Sequence, residues 1–338
     1  MDGVLAAGAE WPGAVAVSGG ADSLALMFLL ADWAAAERRP GPVVLTVDHG
    51  LQPHATRVAR DVVKRAAQRG LCAHVLRWTG RKPSADIEAA ARDARYRLMG
   101  TWCRSKGPRS LFIAHSLEDQ AETFLLRLMR GSGVDGLAAM TPVAPFPGPG
   151  CENLRIVRPL LGVQRAKLRA FLLRRNEPWL EDPMNADIRF ARARLRGAWP
   201  ALREMGFSTE RIAAAAGHLA RARAALEQAA SDLLAISCRS VENGVLLDGG
   251  AIAAVPEEIG LRALARVLMQ VSGRHYRPRF ERLERVAAAI RLQELRGGRT
   301  LHGCCIRPAS KRDACFGSRT VHVAPEVRRS RTGGDAGG

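Results

Sequence analysis

The chain has 338 residues, enough for two domains, and its 47% hydrophobic and 25% charged residues are the mix of an ordinary globular protein. No run approaches the roughly 18 uninterrupted apolar residues of a membrane span. Residues 1–10 also lack the basic start and apolar core of a secretory signal, so the cytoplasm is the expected compartment. Lys and Arg number 51 against 33 Asp and Glu, a net charge of +18. That excess favours a polyanionic partner such as nucleic acid, although an arginine-rich codon bias would also produce it. The seven cysteines (72, 103, 151, 238, 304, 305 and 315) contain no C-x-x-C pair, so they read as reduced thiols and not as a zinc site or a disulfide ladder.

In chain order, the first half alternates short apolar runs with helical patterns, the signature of parallel βαβ units. A strand over residues 14–17 runs into Ser18-Gly19-Gly20-Ala21-Asp22-Ser23, and a helix without a breaker follows over 24–36. A second strand over 43–47 ends at Asp48-His49-Gly50. Next come a helix over 57–69, a strand over 73–76, a long helix over 86–103, a strand over 111–114 and a helix over 117–130. These strands are apolar throughout, as in parallel sheets covered on both faces. Residues 142–150 carry Pro142, Pro145, Pro147 and Pro149 and read as a surface excursion with little strand or helix potential. Order resumes at Arg158-Pro159-Leu160-Leu161 and in a helix over 164–175.

The domain boundary is expected near residues 200–208. An α/β domain then covers 1–204, a mostly helical basic region with some strand covers 205–327, and 328–338 form a polar, glycine-rich, disordered tail. The second region opens with one long helix over 209–235, capped by Ser208, and continues with a strand over 245–248 and helices over 256–271 and 280–292.

The loop at 18–23 carries the first chemistry. A strand delivers the chain to it, two glycines let the backbone approach an anion, and a helix N-terminus follows, so N–H groups and the helix dipole converge on phosphate. It lacks the lysine of G-x-x-x-x-G-K-[ST] and the spaced glycines of G-x-G-x-x-G, which indicates another phosphate-binding class. Taken alone, the same residues also fit a plain strand-to-helix turn.

This segment resembles the S-G-G-x-D-S signature of the PP-loop ATP pyrophosphatase superfamily, and further residues resemble, in order, the tRNA(Ile)-lysidine synthetase family within it. They are Val47-Asp48-His49-Gly50-Leu51, Ala91-Arg92-Asp93-Ala94-Arg95-Tyr96, the run from Ala114-His115 through Glu118-Asp119-Gln120-Ala121-Glu122-Thr123, Arg130-Gly131-Ser132-Gly133, Arg158-Pro159-Leu160-Leu161 and Glu181-Asp182-Pro183. The likeness covers about residues 11 to 200. Ser116 stands where the family has a second histidine, Glu118 where it has aspartate, Met184 for a serine and Ala193 for an asparagine.

The resemblance implies an α/β fold with a parallel-sheet, Rossmann-like PP-loop domain (adenine nucleotide alpha hydrolase-like), followed by a mostly helical basic C-terminal region. It implies ATP and Mg²⁺ as cofactors, tRNA(Ile) with a CAU anticodon and free L-lysine as partners, no membrane, and a homodimer. The implied reaction adenylates carbon 2 of the wobble cytidine, and the lysine ε-amine then displaces AMP to leave lysidine. Ser18, Gly19, Gly20, Ala21, Asp22, Ser23, Asp48 and His49 would bind ATP; Asp22, Asp119, Glu122, Arg95 and His115 would be catalytic.

On a helix Asp119 and Glu122 share a face. Together near the phosphate loop they suit either Mg²⁺ or the ammonium of lysine, with an acidic helix start as the bland reading; Asp22 and Asp119 are the metal candidates. Arg189, Arg192, Arg194 and Arg196, with Phe190, suit tRNA phosphates and a base stack, or else form a solvated basic face. Arg274-His275-Tyr276-Arg277-Pro278-Arg279-Phe280 interleaves basic and aromatic residues and suits tRNA as well. A PP-loop tRNA thiolase and a non-catalytic RNA-binding protein are the alternatives; the missing C-x-x-C counts against the first, and the intact loop with Asp119 and Glu122 against the second.

Overall fold

The computed structural model describes residues 1–51, 55–83, 86–181, 191–295, 297–310, 313, 316–317 and 319–326. The expected disordered tail, Arg189 and Phe190 lie outside the described residues. By internal contacts the chain divides into two units, 1–220 and 221–338.

In the first unit a short helix, α1 (Asp2–Ala6), precedes β1 (Ala14–Ala16), α2 (Ala21–Ala36), β2 (Val43–Asp48), α3 (Ala55–Gln68), β3 (Ala73–Arg77), α4 (Ile87–Lys106), β4 (Ser110–Phe112) and α5 (Leu117–Leu128). After these come α6 (Val134–Leu137), β5 (Val143–Pro145), β6 (Arg155–Val157), α7 (Arg165–Leu173), α8 (Ala191–Glu204) and α9 (Thr209–Ser237), within which the division falls. The strands form one sheet in the order β3-β2-β1-β4-β6-β5, parallel except for β5.

Alternation along each strand explains the apolar runs. Val15, Val44, Phe112 and Val157 belong to the core cluster that also holds residues of α2, α3 and α7. Their neighbours Ala14, Leu45, Leu111 and Ile156 belong to a second cluster with Met99 and Cys103 of α4 and Phe146. Both faces are buried, so both registers of a strand must be apolar. Helix α2 buries residues around most of its circumference, which is why it carries almost no polar stripe.

Two sequence expectations need correction. Within the proline-rich excursion, residues 143–145 pair with β6 as an edge strand, Val143 opposite Val157. An edge strand tolerates proline because one row of its backbone groups needs no ladder partner. The second unit is also richer in strand than expected. Besides α10 (Gly249–Ala254), α11 (Glu257–Ser272) and α12 (Phe280–Arg291), it holds an antiparallel sheet of β7 (Cys238–Val241), β8 (Gly244–Asp248), β9 (Arg299–Leu301), β10 (Cys304–Pro308) and β11 (Thr320–Pro325), ordered β7-β8-β11-β10-β9. Most of these strands are short and alternate with charged residues, so their apolar signal is weak.

Residues 302 and 303 form the β9–β10 hairpin turn, with His302 (φ 58) and Gly303 (φ 78) both left-handed, as a two-residue I′ connection demands. Ser208 caps α9 as expected, its Oγ accepting from Arg211 N–H at 3.2 Å.

The second unit is held by a core in which α11 and α12 cover β8, β10 and β11. Beside this core, Arg262, only 2% exposed, Arg266 and Arg277 all converge on Glu227. The β7–β8 turn places Gly244 at φ 136, where an added Cβ would lie 2.2 Å from the Val323 carbonyl oxygen. Replacing Gly244 with alanine is therefore expected to destabilise the protein by about 3 kcal/mol. Urea unfolding of the full chain checks this, and a loss below about 0.5 kcal/mol would show that the hairpin relaxes freely.

Candidate active site

In an open parallel sheet the ligand crevice lies at the carboxyl ends of the strands where the order reverses. Here the reversal lies at β1, from which β2 and β3 extend one way and β4 and β6 the other. The segment after β1 is the glycine loop, and the segment after β4 leads to the N-terminus of α5. The topology thus brings together two stretches that are about a hundred residues apart.

The loop is built to leave donors open. Gly19 sits at φ 88 with its absent Cβ against Val58, 2.7 Å away, so a side chain is excluded there by backbone and packing alike. Gly20 is the N-cap of α2 and carries no capping side chain. The first-turn N–H groups of a helix have no intrahelical acceptor, so those of α2 face the crevice as anion donors. Ser23 braces the turn from inside: its hydroxyl donates to the Gly20 carbonyl at 2.9 Å and accepts from Ser18 N–H at 3.1 Å. Ser18 is exposed, and its Oγ lies 3.2 Å from that of Ser23.

The start of α5 is fixed by a capping box. Ser116 N–H and Oγ–H donate to Asp119 Oδ2 at 2.9 and 3.0 Å, while Asp119 N–H donates back to Ser116 Oγ at 3.4 Å. Ser116, at the position of the family's second histidine, is therefore a fully buried helix cap. The box leaves Asp119 Oδ1 facing outward from the cap, where Arg165 Nη2 meets it at 2.5 Å.

The same guanidinium reaches Glu122 Oε1 through Nη1 at 3.0 Å and Asp22 Oδ2 through Nε at 3.4 Å. Glu122, wholly buried, is also held by a fork from Arg196, Nε to Oε1 at 2.7 Å and Nη2 to Oε2 at 3.1 Å. Asp22, Asp119 and Glu122 are thus gathered around Arg165, as the sequence expected of Asp119 and Glu122 from their spacing.

Electrostatics differ along the cluster. Burial alone would raise the Asp119 carboxyl, but Arg165 and the Ser116 N–H bring it below its usual range. Asp22 moves the other way, pushed up to about 6 by burial, which Arg165 offsets only in part while Asp119 and Glu118 add repulsion. An Asp22 carboxylate short of positive charge is a hard-oxygen donor that fits a small divalent cation, and Asp119 Oδ1 beside it suits such a cation or an ammonium group.

The remaining candidates fall around this centre. Arg158 Nε–H donates to His115 Nδ1 at 3.1 Å, so the imidazole carries its proton on Nε2, and burial holds its pKa down to about 4. The buried Asp48 carboxylate organises the turn after β2, accepting from Gly50 N–H at 3.0 Å and Thr56 Oγ–H at 2.8 Å. His49 follows it, lowered to about 4 by burial and then by Arg95 and Lys82, which places Arg95 near His49. On α8, Arg192 and Arg196 share a face; Arg192 donates to Thr123 of α5 at 3.4 Å, and Arg194 lies on an exposed side.

The residue that the sequence reading missed is Arg165. It lies 43 residues from Glu122 along the chain, so no local spacing announces the contact. One signal was available: an arginine at the first position of a helix opposes the helix dipole and implies a strong partner elsewhere. The anomaly is resolved by Glu118, whose two oxygens accept Arg165 N–H at 3.1 and 3.0 Å and so put negative charge at the start of α7.

A PP-loop domain family matches residues 10–201, which takes in every residue of this cluster. The chain is 42% identical over 317 residues to a tRNA(Ile)-lysidine synthase of Methylobacterium nodulans, covering 89% of this chain and 90% of that protein. It is 39% identical to a tRNA(Ile)-lysidine synthase of a Bradyrhizobium species, covering 94% and 91%. Among solved structures, a U34-tRNA thiolase from Methanococcus maripaludis matches with a TM-score of 0.49 at 15% identity, over 62% of this chain and 72% of that one.

Asp22 offers a test of the site's electrostatics. Its folded pKa of about 6 lies above its ordinary value of 3.8, so the unfolded chain ionises first as pH rises. Stability is therefore expected to fall between those pH values, by about 3 kcal/mol in all for this group. Asp22→Asn should stabilise the ligand-free protein at pH 7.5 and confer no gain at pH 3.5; equal unfolding midpoints at pH 7.5 would remove the argument. The two glycines should separate as well. Gly19→Ala should cost about 2 kcal/mol of stability. Gly20→Ala, with no protein atom nearer than 3.7 Å to the new Cβ, should cost under about 1 kcal/mol while raising the KM for ATP tenfold or more.

Proposed function

The chain belongs to the PP-loop family of tRNA(Ile)-lysidine synthases, and on that premise we propose how its residues share the reaction. The enzyme is an ATP-dependent ligase acting on the CAU anticodon of tRNA(Ile). Oxygen 2 of the wobble cytidine attacks the α-phosphorus of ATP and pyrophosphate leaves. The ε-amine of free lysine then attacks carbon 2, a proton is lost from that nitrogen, and AMP departs with the cytidine oxygen. The product pairs with adenine, and the tRNA changes identity from methionine to isoleucine.

The observation that carries the reading is the direct contact between the two halves of the site: Arg165 joins Asp22 of the phosphate loop to Asp119 and Glu122 of α5. The loop N–H groups and the α2 dipole hold the phosphates. Asp22 would hold Mg²⁺ beside the phosphate loop, which when bound supplies charge neutralisation for the departing pyrophosphate, and Asp119 Oδ1 is left to the amine. Both Glu122 oxygens are engaged by guanidiniums, so it orients Arg165 and Arg196 and leaves the proton of the amine to Asp119. His115 offers Nε2–H as a neutral donor to phosphate or nucleoside. Arg192 and Arg194, with the basic surface of the second unit, contact tRNA phosphates, and the enzyme works in the cytoplasm. A homodimer rests on family likeness alone.

Thiolation is disfavoured by the thiols themselves. In the first unit Cys103 and Cys151 are buried, burial pushing Cys103 up to about 12, while the exposed Cys72 directly precedes β3 and so lies at the end of the sheet opposite the crevice.

The reading is tested by incubating the protein with CAU-anticodon tRNA(Ile) transcript, ATP, Mg²⁺ and labelled lysine. Lysine should enter the RNA, with one AMP and one pyrophosphate formed per lysine. Sulfur transfer, or RNA binding without pyrophosphate release, would overturn it. Asp119→Asn preserves an oxygen acceptor for the Ser116 cap, so it should remain folded yet lose at least about a thousandfold in turnover. Near-normal turnover would remove Asp119 from the mechanism.

A further inference from the structure

Buried carboxylates keep their charge only when paired, and the outward oxygen of Asp119 is paired chiefly with Arg165 Nη2 at 2.5 Å, with Arg196 Nη2 farther off at 4.0 Å. Any cation that uses Asp119 Oδ1, the lysine ammonium included, must therefore displace Arg165 Nη2 from that atom. The guanidinium has somewhere to go. Its Nε already stands 3.4 Å from Asp22, in the first turn of the helix whose N-terminus forms the phosphate loop. A triphosphate seated there would bring several anionic oxygens within reach, and bidentate arginine–phosphate pairing is strong.

The anchor of the residue suits such a movement. Arg165 N–H is clamped by both oxygens of Glu118, so its backbone is fixed at the start of α7. Its side chain is 22% exposed and stands on a long flexible stem. Glu122 would not be stranded by the departure, because the fork from Arg196 still engages both of its oxygens. A cavity of about 340 Å³ opens against the same guanidinium, lined by Glu118, Glu122, Arg165, Arg196, Arg203 and Trp199. With carboxylates and guanidiniums both on its wall, it matches a zwitterionic amino acid that carries a second ammonium.

We propose that Arg165 is an exchangeable cation that fills the amine subsite of the empty enzyme and moves to the triphosphate when ATP binds, so that nucleotide binding opens Asp119 to lysine. This rests on the lysidine synthase reading of the same site. Binding is then coupled: ATP strengthens the binding of lysine, and by linkage lysine strengthens that of ATP by the same factor. Arg165 is a binding and positioning residue and takes no part in bond making.

The test titrates L-lysine calorimetrically into the full chain with and without α,β-methylene-ATP and Mg²⁺, using wild type, Arg165→Gln and Arg165→Lys. In the wild type the analogue should tighten lysine at least tenfold. In Arg165→Gln the analogue should bind at least tenfold more weakly, and lysine should bind equally, within twofold, in its presence and absence. Arg165→Lys keeps a charge but loses the fork, and should fall between. Lysine binding to wild type that the analogue does not strengthen overturns the proposal, as does wild-type analogue affinity in Arg165→Gln. If the glutamine variant fails to fold, the wild-type pair of titrations decides by itself. A wild type that places no lysine in tRNA condemns the functional reading instead, which the labelled-lysine assay reads separately.

Discussion

The site is organised by the need to keep three carboxylates charged in a place largely closed to water. Asp119 and Glu122 lie on a buried helix face and Asp22 at the edge of it, and a single guanidinium spans all three. Unpaired, each would cost several kcal/mol or take up a proton. The compensation is uneven. Glu122 is held by two guanidiniums, Asp119 by Arg165, its own cap and a more distant Arg196, and Asp22 by Arg165 Nε at 3.4 Å, which offsets only part of the burial that raises its carboxyl. The gradient points from the deep end of the cluster towards the phosphate loop, where an added cation would be stabilised most.

The same logic tempers what the net charge of +18 means. Some arginines are internal ties: Arg165 and Arg196 serve α5, and Arg262, Arg266 and Arg277 share Glu227. A count of basic residues overstates the surface left for a polyanion. The segment with exposed Tyr276 and Phe280 retains the basic and aromatic mixture that nucleic acid stacks on, although its Arg277 is also part of the Glu227 group.

Much of the fold was legible because local chemistry announced it. Two adjacent glycines after a buried strand mark a tight turn, of which Gly19 is the position no other residue fits, and the three-residue spacing of Asp119 and Glu122 sets them on one face. Ser116 and Asp119 stand at the spacing of a capping box, so the role of Ser116 was available in the sequence to a reader not expecting an imidazole. Arg165 was not legible, since its partners come from α2 and α5 and only the sheet order brings them near. Residues 143–145 escaped because proline argues against strand everywhere except at an edge, and edge position is a tertiary fact. The sheet of the second unit escaped for a related reason: strands of three to six residues with charges on one side look like loop until they pair.

The capping box at the start of α5 has a bearing on the precision of the chemistry. Asp119 Oδ2 is tied to the backbone and hydroxyl of Ser116, so the torsions of this side chain are settled when the helix forms. The working oxygen therefore has no rotamer freedom to surrender when a ligand arrives. Its position is set by the helix itself, and any looseness in that first turn would displace it relative to whatever Oδ1 binds. A residue so placed serves the fold through one oxygen and, on the proposed reading, the reaction through the other. Alanine at 119 would remove both at once, whereas variants that spare Oδ2 can separate them.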